Sequence, residues 1–274
     1  MLISDIAWLM LGGSLSGFLA GLLGIGGGVI LVPLMILIFS RLGFHENVLM
    51  HIAIATGMAS VLFTTSSAVM AHQKRGNIDW KLVGALSPGL VLGAVVGGGK
   101  FFDVINGAWL SLGFSIFMIY SSTQMILNKS PHAARGLPGR FGLFGFGVLT
   151  GIIASLLGAG GAFITVPFMI WCNVKPHNAM ANSSGLGFPI AASSTLGYIY
   201  GGWGNASLPE YSLGYVYVPA LLCIVITSML AAPIGAKVVS RLEAPRLKRI
   251  FGFTLLLVAL FMLNESRKAF GITF

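Results

Sequence analysis

The chain has 274 residues, 56% of them hydrophobic and only 8% charged, with a mean hydropathy of +0.91. A soluble domain carries about 25% charged residues, so composition excludes that class and leaves an integral membrane protein. The net charge of +9 would suit nucleic acid, but basic residues collect on the cytoplasmic loops of membrane proteins; the lipid bilayer is the expected partner, and no nucleic acid.

The first residues, MLISDIAWLM, lack a basic n-region, so no cleavable signal peptide is expected. The first apolar segment, 4–40, is 37 residues long with Asp5 as its one charge. At its centre lies GIGGGVILVPLM, Gly24 to Met35, rich in the poorest helix formers. As one helix it would measure about 55 Å against a bilayer core of about 30 Å, too long for one crossing and slightly short for two. Three further apolar segments follow at 48–72, 82–99 and 104–128, then a basic linker at 129–140. Four more complete the chain, at 141–172, 178–202, 211–236 and 247–265. The glycine content and segment lengths favour helices over a barrel, whose alternating strands of about ten residues are not found.

The second set repeats the first. LGIGGGVILVPLMI (Leu23–Ile36) overlies LGAGGAFITVPFMI (Leu157–Ile170) at an offset of 134. Ala53, Gly57, Ser66, Gly76 and Asn77 meet identical residues at an offset of 128, and Gly98 and Lys100 do so at 137. Three matches in the same order indicate a duplication, with halves 1–128 and 141–274.

Lysines and arginines test the topology. If all eight segments cross, the 16 basic residues divide 8 and 8. If the first segment of each half enters, turns at its glycines and leaves on the same side, 12 of the 16 lie on the cytoplasmic side. Only Arg41, Lys100, Arg267 and Lys268 then lie outside. The second arrangement obeys the positive-inside rule. It leaves three true crossings per half, so the halves are inverted, a recurring transporter plan. The expected fold is therefore an all-α polytopic membrane protein of two inverted repeats. Each repeat has a Gly-broken, re-entrant helical hairpin plus three transmembrane helices, and both termini lie outside.

A helix broken at membrane depth exposes N–H groups whose aligned dipoles favour an anion. The expected substrate-binding residues at the breaks are Gly24, Gly26, Gly27, Gly28, Gly158, Gly160 and Gly161. Close helix packing of small residues is the competing reading, and Gly13, Gly17, Gly21 and Gly24–Gly28 suit it. The second segments add hydroxyls and amides, which hydrogen-bond oxyanions without a buried charge. Thr56, Gly57 and Ser60 are the candidates in the first half, and Asn182, Ser183, Ser184 and Gly185 in the second; interhelical bonding fits them equally. The acidic residues, Asp5, Glu46, Asp79, Asp103, Glu210, Glu243 and Glu265, fall at or near segment ends. His51 can titrate and reads as an interfacial side chain, while Lys100 and Lys237 are expected to snorkel, with guidance of anions as the alternative. Cys172 and Cys223 make neither a metal motif nor an expected disulfide. GIGGGV lacks the final glycine of a dinucleotide fingerprint. NSSG with His177 lacks the third group of a hydrolase triad, so no enzyme, catalytic residue, metal or cofactor is expected.

Three stretches together resemble the TauE/SafE family of membrane permeases, the sulfite exporters: GFLAGLLGIGGGVILVP (Gly17–Pro33), HQKRGNIDW (His72–Trp80) and GAGGAFITVP (Gly158–Pro167). AIATGM, Ala53 to Met58, departs from the GTS-like order of that family. The resemblance implies transport of small sulfur-containing anions such as sulfite, sulfoacetate or another organosulfonate across the inner (cytoplasmic) membrane. A secondary transporter working by alternating access, with or without a coupling ion, is the leading reading, and a passive anion channel the alternative. Substrate identity, direction and oligomeric state are not encoded in these motifs.

Overall fold

The apolar segments become helices, and the glycine clusters end them where a break is expected. In a computed structural model, which describes residues 3–23, 27–74, 76–127, 136–238 and 244–270, α1 (Ile3–Leu23) is followed by α2 (Gly28–Arg41). The two meet across Gly27, held at φ +74°, a conformation in which a side chain is strained. Gly24 and Gly26, most of the 129–140 linker, Arg75, Arg241 and Glu243 lie outside the described residues.

α2 returns along α1. Ser16 of α1 donates to the carbonyl of Gly27 at 3.0 Å, a methyl on Gly12 would press on Leu34 and touch Leu31, and Trp8 and Leu37 line one apolar groove. As numbers rise along α2 they fall along α1, so the pair is an antiparallel hairpin. Its arms are unequal, about 31 Å for the 21 residues of α1 and about 21 Å for the 14 of α2. The first arm runs past the turn, since Gly27 lies beside Ser16 while α1 continues to Leu23.

The second half repeats this plan with α7 (Arg140–Leu157) and α8 (Ala162–Trp171). Gly161, at φ +75°, lies against Thr150 and Ala154, and Phe146 stacks on Phe168 at 3.7 Å. The hairpins are joined by α3 (Glu46–Gln73), α4 (Trp80–Gly98), α5 (Lys100–Val104) and α6 (Gly107–Leu127) in the first half. In the second they are joined by α9 (Pro176–Gly201), a two-stranded turn (β1, Ser212–Leu213; β2, Val216–Tyr217), α10 (Val218–Val238) and α11 (Ala244–Ala269).

Six helices among the described residues are long and apolar enough to cross a bilayer: α1, α3, α4 extended through α5, α6, α7 and α10. Two of them, α1 and α7, are first arms of hairpins. The hydroxyl-rich α9 and the charged-ended α11 fall outside that set, although their 26 residues each would reach across.

Packing exchanges partners between halves. α1 lies along α10 and α7 along α4, while α3 packs on α9 and α6 on α11. Backbones approach closely because glycine faces glycine. Gly89 and Gly93 of α4 and Gly147 and Gly151 of α7 each sit where a methyl would collide with the facing main chain. Gly13 and Gly17 do the same against α10, and Gly235 does so against α1. These are the small-residue seams expected between membrane helices, where apolar side chains gain nothing over lipid.

Candidate transport site

α3 and α9 form the buried centre, and both breaks open onto it. Gly28, the first residue of α2, has no room for a methyl because the carbonyl of Gly158 stands there, with Val61 of α3 close by. Gly158, the αL cap of α7, rests on Ile54. Gly161 faces Ile190 of α9, and Gly187 lies between Thr65 and the Gly160 carbonyl. The fold therefore brings Gly28, Gly158, Gly160 and Gly161 together with α3 and α9, two helix starts beside one buried crossing.

The hydroxyls divide into those near this crossing and those used elsewhere. Ser60 donates to the Gly57 carbonyl at 2.6 Å, and Gly57 itself faces Val32 and Met35 of α2. Ser183 shares a 2.9 Å hydrogen bond with Thr165 of α8. Ser184 turns back to the Met180 carbonyl, and Gly185 faces Ile78 and Val83 at the head of α4. Thr56 and Asn182 fasten the chain. The N–H of Tyr217 donates to Thr56 Oγ1 at 3.0 Å, and the N–H of Asp79 donates to Asn182 Oδ1 at 2.7 Å. Each thus accepts from the residue just before the second crossing helix that follows the hairpin in the other half, α10 for Thr56 and α4 for Asn182. Nδ2 of Asn182 is buried without a partner.

A matched pair was missed by sequence reasoning. Ser16 and Thr150 lie 134 residues apart, the offset of the glycine clusters, and each stands beside a turn glycine. Ser16 is bonded to Gly27, whereas Thr150 Oγ1 is buried and unpaired. Aligning the polar residues at that offset would have found them. Thr64, which donates to Ser228 at 3.0 Å, ties α3 to α10 in the same layer.

Over the start of α3 the chain is capped by aromatic rings. Tyr217 meets Phe39 and Phe44 edge-on, and Tyr215 stacks on His51. His51 is 4% exposed, a buried group and not the interfacial one expected, because α5 folds over it. Tyr215 donates its hydroxyl to Asp103; burial, and then that bond, push its phenol from the ordinary value near 10 up to about 12. Burial also raises Tyr217. Lys100 and Asp103 line an open cavity of about 640 Å³ with Tyr200 and Trp203. Asp79 caps α4 by accepting from the N–H groups of Lys81 and Leu82, and Glu265 lies within α11.

Paired broken helices, glycine seams and a buried polar centre define a polytopic helical membrane transporter. The chain belongs to the sulfite exporter TauE/SafE family, whose model matches residues 9–262. It is 34% identical over 255 residues to a probable membrane transporter protein of Haemophilus influenzae, covering 92% of this chain and 96% of that one. A probable membrane transporter protein of Methanocaldococcus jannaschii is 28% identical over 93% of this chain and 94% of its own. A protein of Arabidopsis thaliana named as sulfite exporter TauE/SafE family protein 3 is 28% identical over 48% of this chain and 25% of its own. No solved structure matches.

Proposed function

We propose that this chain is a secondary transporter of small sulfur-containing oxyanions, sulfite, sulfoacetate or another organosulfonate, working by alternating access in the cytoplasmic membrane. Its two inverted repeats, 1–128 and 141–274, are joined by the cytoplasmic linker 129–140. Each begins with a hairpin that is re-entrant in the bilayer. The observation that carries this reading is the meeting of the two breaks, where Gly28 abuts Gly158 inside the α3–α9 crossing. Peptide N–H groups at helix starts hold an anion without a buried cation. The hydroxyls of Ser60 and Ser183, with the free Nδ2 of Asn182, supply further donors as helices shift. Gly24 and Gly26 belong to the same loop by sequence.

The test is counterflow of labelled sulfite in proteoliposomes. Saturable exchange supports a carrier, and single-channel currents identify a passive pore instead. No flux of any anion through folded protein defeats both. Cysteines placed at Leu42 and His45 should label only from outside; labelling only from the cytoplasm would sink the re-entrant topology.

A further inference from the structure

His51 is a buried titratable group that the anion site does not use. Its Nε2 lies 2.9 Å from the Ile105 carbonyl and 3.2 Å from the Phe102 carbonyl. Carbonyls only accept, so Nε2 carries the hydrogen in the neutral ring and Nδ1 keeps its lone pair. That lone pair is buried without a partner. The Asn47 carbonyl, one turn earlier on α3, also faces the ring. It can do nothing for a bare lone pair and would accept from an N–H placed there. The single N–H of the neutral imidazole is shared by the Phe102 and Ile105 carbonyls, and only the cation, with its second N–H, has a donor left for a further acceptor. Tyr215 stacks on the ring at 5.1 Å and Phe102 meets it edge-on at 4.9 Å.

The charged and titratable groups around His51 come from four elements. Asp103 and Lys100 lie on α5, Tyr215 and Tyr217 at the strand turn, Tyr198 of α9 behind Phe102, and His45 and Glu46 at the head of α3. Asp103 is the anion nearest in effect: its charge acts on the ring, and it also lines the open cavity beside Lys100. Tyr215 links the cavity wall to the ring, bonded to Asp103 and stacked on His51.

We propose that His51 is the proton-binding site that couples anion movement to a proton gradient, an inference that rests on the transporter reading above. The step is a proton addition. The Nδ1 lone pair takes H⁺ from cavity water, the ring becomes the imidazolium, and the new N–H bonds the Asn47 carbonyl. The charge strengthens the ring's hold on the Phe102–Ile105 turn and on Asp103, clamping the start of α3 to α5. Tyr215, stacked on the same ring, is two residues from Tyr217, whose N–H binds Thr56 and whose ring covers Phe39 and Phe44 at the exit of α2. Protonation thereby acts on the closure over the first hairpin.

Two measurements test this in the full chain reconstituted in liposomes. In wild type, a one-unit pH gradient should change labelled sulfite accumulation by up to about tenfold, the limit for one proton per anion. His51→Gln, whose amide can still donate to the carbonyls, should keep counterflow and lose that pH drive. A pH-driven gradient surviving in His51→Gln overturns the proposal. Imidazole ¹⁵N resonances, which need no anion, should show the His51 ring passing from the Nε2–H tautomer to the cation as pH falls, and at lower pH in Asp103→Asn. A ring that stays neutral down to the pH at which the protein unfolds also overturns it. If sulfite does not move in wild type, the transport reading falls, and the proton site is decided by the resonances.

Discussion

At Gly27 the returning chain is fastened, because Ser16 donates to its carbonyl. At Gly161, 134 residues on, the matching Thr150 stands beside the turn with its hydroxyl buried and unpaired. The return arms differ too, 14 residues in α2 against 10 in α8. The two breaks are alike in plan and unlike in finish. The second turn holds a free donor where the first has used its own.

The largest expected effect tests what the halves still share. Gly17→Leu and Gly93→Leu would each drive a side chain into a facing backbone, Ser228 in one seam and Val148 in the other. Each should cost about 3 kcal/mol or more, seen as loss of monodisperse protein and a lowered melting temperature. Strong damage from one with tolerance of the other would break the equivalence of the exchanged seams.

Next come the turns themselves. A left-handed non-glycine residue costs about 1–2 kcal/mol. Gly161→Ala should cost about that, since its methyl would meet the movable end of Ile190 at 2.8 Å. Gly27→Ala should cost more, because its methyl meets Ser16 side chain and carbonyl together. Thermal unfolding in detergent ranks them, and equal losses would contradict the difference in fastening.

A smaller contrast lies in the hydroxyls. Ser16→Ala removes a made hydrogen bond and should cost about 1 kcal/mol. Thr150→Val removes none and should leave stability unchanged or raised, while weakening sulfite binding measured by ligand-induced thermal shift. Unchanged sulfite binding in Thr150→Val would mean that the free hydroxyl has no part in the site.

The smallest effect is alkaline. Tyr215 ionises near 10 when unfolded and near 12 when folded, so folding favours its neutral form. That contribution is whole below pH 10 and disappears as pH rises to 12. Tyr215→Phe should flatten this part of the stability profile. An unchanged slope would assign it to other groups.

Much of this organisation was legible in the sequence. Three glycines in an overlong apolar run announced a turn, and the recurrence of that run at one offset announced its twin. What could not be read was partner exchange. An offset says which segments correspond, whereas packing depends on which small-residue faces meet, and Gly89 gives no sign that it faces α7. Thr56 and Asn182 stood out as polar residues in apolar segments, but no spacing shows that each is committed to a backbone N–H of the other half. His51 reads as interfacial from its place near a segment end, and only the fold of α5 over it buries the ring.

The exchanged seams carry a consequence for ancestry. A lone half would present the glycine face of its first arm with no third helix to receive it, because that helix comes from the other half. Such a half could be stable only beside a second copy lying opposite, each lending the other a helix. In this sense each half lends the other a helix, in the manner of a reciprocal dimer, and the close-packed seams cut across the two repeats seen in the sequence.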